Sequence, residues 1–133
     1  MARSIVVVVE DEPLIRMSAT EMFEEAGIEV VEFTSGDEAI DFVREHHKDV
    51  AALFTDVYLP GEIDGLELAG IVSEVCPEIA VMVTSGQIAK RPDELRPQIR
   101  YVAKPWRPAD VLSAMTEALR AIHVGPERLS PAA

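Results

Sequence analysis

The chain has 133 residues, with 12 Lys plus Arg against 24 Asp plus Glu, a formal net charge of −12. That length fits one domain, and a hydrophobic share of 48% is enough to bury a single core. The acidic balance excludes adhesion to nucleic-acid backbones or anionic membranes, which both need a basic footprint. A single cysteine, Cys76, excludes an intramolecular disulfide and a cysteine-based metal site.

Short apolar runs alternate with amphipathic stretches. Ile5 to Val9 is β-branched throughout and reads as a strand buried on both faces. Pro13 suits the first turn of a helix. Ile15, Ala19, Met22 and Ala26 share one helical face, and Gly27 ends it. Ile28 to Phe33 alternates apolar and acidic residues, as a half-exposed strand does. Ser35, Gly36 and Asp37 open a second helix running to about His46. Val50 to Thr55 is a third strand ending at Asp56, and Leu59 to Gly65 carries loop residues.

Leu68, Ile71, Val72 and Val75 stripe a third helix, which Pro77 ends. Ile79 to Val83 is a fourth strand ending at Thr84, and Tyr101 to Ala103 a short fifth ending at Lys104. Between them, Gln87 to Arg100 should hold a fourth helix. Pro92 and Pro97 lie inside it, and proline costs about 3 kcal/mol in a helix interior, so that helix is expected to be short or irregular. Val111, Leu112, Met115, Leu119 and Ile122 stripe the last helix. The domain is expected over residues 1–124, with a flexible tail over 125–133. The apolar run at the N-terminus is too short for a signal peptide and no window reaches a membrane span, so a cytoplasmic location is expected.

This alternation predicts an α/β fold: a doubly wound, five-stranded parallel sheet of flavodoxin-like order 2-1-3-4-5, with helices on both faces. In such sheets ligands sit beyond the carboxyl ends of the strands. Glu10, Asp11 and Glu12 follow strand one; Asp56, Thr84 and Lys104 close strands three, four and five. Clustered carboxylates repel unless a cation joins them, and an all-oxygen set suits a hard ion such as Mg²⁺. A carboxylate held by that ion can attack a phosphoryl group, while a lysine and a hydroxyl serve its other oxygens.

At these motifs the sequence resembles the receiver domains of two-component response regulators, over roughly Ile5 to Ile122. The carrying segments are Val8-Val9-Glu10-Asp11-Glu12, Leu53 through Gly61 around Asp56, Val83-Thr84-Ser85-Gly86, and Tyr101-Val102-Ala103-Lys104-Pro105-Trp106. The resemblance implies that Asp56 is phosphorylated by a histidine kinase or phosphotransfer protein. It implies Glu10 and Asp11 as the acidic Mg²⁺ pair, with Asp56 and the Tyr58 backbone carbonyl as further ligands and Mn²⁺ able to substitute. Thr84 resembles the switch hydroxyl, Lys104 the phosphate-contacting lysine before a bond to Pro105 that is often cis, and Tyr101 the aromatic that reports activation.

An output surface is expected around Tyr101, Trp106, Lys90 and Arg91. Trp106 either covers the start of the last helix or anchors a partner. Lys90, Arg91, Arg96 and Arg100 form a basic cluster, read as solvated charge or as a face for an acidic partner. Two departures from the family pattern stand out: the loop from Asp56 to Asp64 is one residue longer near Glu62, and helix four is interrupted by proline.

The function expected is thus a stand-alone phosphoacceptor that switches the binding of an unidentified downstream protein, as a monomer or weak homodimer. Only eleven residues follow Ile122, too few for a DNA-binding output domain. It is not expected to be an enzyme. A phosphorylation-independent interaction module is one alternative. A small phosphatase with an aspartate nucleophile is another, although Tyr58 stands where its second acid belongs. An FMN binder of the same fold class would need a phosphate-donating loop where Glu10-Asp11-Glu12 repels phosphate.

Overall fold

The computed structural model describes residues 3–87 and 90–128, with side chains described as far as residue 122. Five strands, β1 (Ile5–Val9), β2 (Glu29–Phe33), β3 (Val50–Asp56), β4 (Ala80–Ser85) and β5 (Arg100–Ala103), pair in parallel in the order β2-β1-β3-β4-β5. Four helices connect and follow them: α1 (Pro13–Glu25), α2 (Gly36–His46), α3 (Gly65–Val75) and α4 (Pro108–Arg128). The doubly wound sheet read from the alternation is the observed one.

The two sheet faces are assigned by strand parity. Val7, Val9, Leu53, Val81 and Val83 pack with α2 and α3 on one face. Val6, Val8, Ala52, Phe54 and Met82 pack with α1 and α4 on the other. A register irregularity between Ile5 and Val6 against β3 lets Val50 and Leu53 share a face despite their odd spacing. All five residues of β1 are buried, as its unbroken β-branched run requires. At the sheet edge β2 is exposed at Glu29 and Glu32 and half-buried at its other positions.

Local capping sets where the helices begin. The Glu12 carboxylate accepts from the Ile15 N–H at 2.9 Å, ahead of Pro13. Asp64 and Glu67 form a reciprocal capping box at α3. The longer loop before it is tied to α2: Asp37 accepts from the backbone N–H groups of Ile63 at 3.0 Å and Glu62 at 3.4 Å.

The segment between β4 and β5 departs from the expectation. Among the described residues 90–99 there is no helix, only turns. Pro92 and Pro97 remove two donors from any helical ladder there. Leu95 and Ile99 still fill the core beside α3, as a helix face would. The segment is instead held by Arg91, whose guanidinium donates to the carbonyl oxygens of Leu95 at 3.3 Å and Ile99 at 3.0 Å, and also to that of Arg96. At the other end, α4 continues through residues 125–128, the start of the expected tail; residues 129–133 lie outside the described residues.

Candidate phosphoacceptor site at the carboxyl ends of the strands

The strand ladder itself delivers the site residues. The Glu10 N–H donates to the Phe33 carbonyl at 3.1 Å, Val57 N–H to Thr84 at 3.0 Å, and Lys104 N–H to Ser85 at 3.0 Å. Each bond extends pairing past a strand end, so the residues beside it inherit the rigidity of the sheet. Gly65 closes the loop below: its N–H donates to the Val57 carbonyl at 2.7 Å. A Cβ at that position would stand 1.7 Å from the Asp56 carbonyl oxygen, so only glycine lets α3 start there.

Glu10, Asp11 and Asp56 converge, with one carboxylate oxygen of each within 4.8 Å of the others. Glu10 and Asp56 are nearly buried, while Asp11 is exposed. Lys104 enters the cluster. Its ammonium lies 2.7 Å from Glu10 Oε1 and 3.5 Å from Asp56 Oδ1. The second Glu10 oxygen accepts from the Glu12 N–H at 3.1 Å, and the Glu10 carbonyl accepts from Arg16 at 2.9 Å. Asp56 Oδ1 accepts from the Val57 N–H at 3.0 Å. Burial, and then the Glu10 charge, push the Asp56 carboxyl above the usual range; Lys104 and the Val57 N–H pull against them.

The carboxylates border a depression of about 460 Å³, lined also by Tyr58, Ser85 and Lys104. Tyr58 is half exposed at its rim. Thr84 is fully buried and is not part of this lining. Its hydroxyl accepts a hydrogen bond of 2.7 Å from the Trp106 indole N–H. The Lys104–Pro105 peptide bond is cis.

The donor set fits a hard divalent cation. It holds only oxygen ligands, carries excess negative charge, and has one exposed member, Asp11, open to solvent. Glu10, Asp11 and Asp56 would hold the ion, and among the described residues no histidine or cysteine joins the cluster.

The output residues do not form one surface. Tyr101 packs with the α2–α3 face and Trp106 with the α1–α4 face. Burial, followed by the Asp56 charge, raises the Tyr101 phenol pKa. The basic cluster is also less free than its sequence suggests. Arg91 turns back onto its own loop, Arg96 pairs with Glu74 at 3.2 Å, and the Arg100 Nε is buried. Lys90 is exposed. Sequence reasoning missed Gly65, Asp37, Arg16 and the Thr84–Trp106 bond. The Asp64-Gly65 pair was a usable signal for the first. The others depend on contacts between distant segments.

A model of the response regulator receiver domain matches residues 6–116. The chain belongs to the response regulator receiver domain family. As a receiver it is 29% identical over 117 residues to the response regulator receiver protein CpdR of Brucella abortus, covering 86% of this chain and 95% of that one. It is 32% identical over 118 residues to the transcriptional regulatory protein PdtaR of Mycobacterium tuberculosis, covering 86% of this chain but 56% of that protein. The CheY-like receiver domain protein of Methanospirillum hungatei has the same fold, with a TM-score of 0.76 at 20% identity over 92% of this chain and 98% of that one. Receivers act in two-component signalling, and the acidic cluster of this one fits the Mg²⁺ pocket of its family. Among the described residues, no helix is long and apolar enough to cross a membrane.

Proposed function

We propose that this receiver accepts a phosphoryl group on Asp56 from the phosphohistidine of a histidine kinase or phosphotransfer protein, and that the modified state changes its affinity for a downstream protein. The observation that carries this reading is the convergence of three carboxylates with Lys104 at the sheet edge. An Asp56 carboxylate oxygen attacks phosphorus, the P–N bond of the donor breaks, and the imidazole leaves with the electron pair. Glu10, Asp11, Asp56 and the Tyr58 backbone carbonyl would hold Mg²⁺, which would supply charge neutralisation for the phosphoryl oxygens.

The residues of the chain supply position. Lys104 sits where its ammonium can pass from the Glu10 carboxylate to a phosphoryl oxygen. The Val57 N–H orients the Asp56 carboxylate. Thr84 supplies a hydroxyl donor, and Tyr101 responds from the opposite face of the sheet. Turnover of a phosphate monoester is not part of this reading, because position 58 offers a phenol and no carboxyl.

Intact mass after incubation with acetyl phosphate tests the proposal. The expected result is a gain of one phosphoryl group that requires Mg²⁺, is lost in EDTA and is absent in Asp56→Asn. A gain that persists in folded Asp56→Asn contradicts it.

A further inference from the structure

We propose that Trp106 is a positioning residue for Thr84: its indole N–H holds the Thr84 hydroxyl on the apolar side of the Lys104–Trp106 segment, and that bond must break before Thr84 can serve a phosphoryl group on Asp56. The inference rests on the reading of Asp56 as phosphoacceptor.

Three observations carry it. The first is the bond itself. An indole N–H can only donate, and at 2.7 Å it occupies a hydroxyl lone pair of Thr84, a residue that is 1% exposed. The second is where Thr84 faces. Asp56 and Thr84 are register partners on neighbouring strands, yet among the described residues the only hydrogen-bond partner of the Thr84 side chain is Trp106. The acidic depression is lined by Ser85 and Lys104, and Thr84 lies outside it.

The third is how the indole is held. Its ring meets Phe54 edge-on at 5.3 Å, and Phe54 in turn meets Phe23 edge-on at 5.5 Å. This aromatic series fixes the ring against the α1–α4 core. Beside it lies a cavity of about 550 Å³, lined by Ile15, Met22, Lys104, Pro105 and Pro108, which adjoins the acidic depression at Ile15, Gly86 and Lys104. The segment from Lys104 to Trp106 therefore has the phosphoacceptor at one end and the latch of the hydroxyl at the other. A phenylalanine at 106 would keep the ring contacts and lose the donor. The latch biases the resting state and so sets how readily phosphorylation draws Thr84 across.

The sequence holds one tryptophan, so the protein shows a single indole N–H resonance. Beryllium fluoride with Mg²⁺ serves as the phosphoryl mimic on the full chain. In the wild type, adding it should shift the indole resonance and speed its exchange with water. Trp106→Phe should bind the mimic about two- to tenfold more tightly, the factor expected for one net hydrogen bond. In a Thr84→Val background Trp106→Phe should bring no further gain, whereas in Thr84→Ser, which keeps the hydroxyl, the gain should return. Thermal melts verify that each variant is folded.

A purely structural role for Trp106 predicts a loss that ignores residue 84. Unchanged or weaker binding in Trp106→Phe overturns the proposal, as does an equal gain in Thr84→Val. A wild type that binds the mimic while its indole resonance stays still overturns the latch alone. A wild type that binds no mimic overturns the reading of Asp56, and the latch with it.

Discussion

Asp56→Asn should stabilise the metal-free protein, the reverse of what losing a buried hydrogen-bonded residue normally does. At an effective dielectric of 20, Glu10 within 4.8 Å of Asp56 repels it by at least about 3.5 kcal/mol, and Lys104 at 3.5 Å attracts it by about 4.7 kcal/mol. Lys104 is shared, however, and sits closer to Glu10, at 2.7 Å. Asp11 adds repulsion, weakened by its exposure to solvent. The charges thus nearly balance, and the burial of Asp56 decides the sign against its ionised form.

Asparagine removes that cost while its amide oxygen still accepts from Val57. For a chain of this size each kcal/mol gained raises Tm by about 3–6 °C. The assay is thermal unfolding by circular dichroism at pH 7 in EDTA and low salt. The sign with pH follows from the raised carboxyl pKa in the folded state. The folded protein keeps the Asp56 proton longer than the unfolded chain, so stability is lost as pH rises through the folded pKa. The variant's advantage should therefore shrink as pH falls below it. Saturating Mg²⁺ should close or invert the gap, since ligand at one hundred times its Kd adds about 2.7 kcal/mol to the form that binds. Asp56→Asn melting at or below the wild type in EDTA refutes the reasoning.

Lys104→Met leaves the Glu10 and Asp56 carboxylates facing each other without their cation, and should cost about 1–3 kcal/mol in EDTA by chemical denaturation, with Mg²⁺ restoring more stability than it adds to the wild type. Gly65→Ala forces a Cβ onto the Asp56 carbonyl oxygen and should cost at least about 3 kcal/mol, read as lost soluble yield and a much lower Tm; a melt near the wild type refutes the close approach. Arg91→Ala removes the donor that gathers the carbonyls of Leu95, Arg96 and Ile99, and should speed amide exchange over residues 92–100 while leaving β1 and β3 protected.

The strands were legible because a parallel sheet buries both faces. Ile5–Val9 is an uninterrupted β-branched run and appears as a strand over the same residues. The site was legible for a related reason: the polar residues that close the apolar runs of β3, β4 and β5 lie at the same edge of the sheet. Asp56, Thr84 and Lys104 are all of this kind.

The segment after β4 was not legible in detail. Pro92 and Pro97 argued against a regular helix, but nothing local shows that Arg91 would gather the carbonyls of its own loop in its place. The basic cluster misled in the same way, since a guanidinium turned onto its own backbone looks identical in sequence to one in solvent. Thr84 was visible as a strand-end hydroxyl, whereas its bond to Trp106 depends on two segments 22 residues apart meeting on one face. Asp37 is similar: as an acid in the first turn of α2 it looks sufficiently explained by the helix dipole, yet it also holds the loop near Glu62.

The most direct test of the central claim is to locate the phosphoryl group. Protein treated with acetyl phosphate and Mg²⁺, then reduced with borohydride and digested, should yield a peptide in which residue 56 has become homoserine, the product of reducing an aspartyl phosphate. Homoserine at another aspartate, or none at all in protein whose intact mass shows phosphorylation, would contradict the assignment of Asp56 as the acceptor.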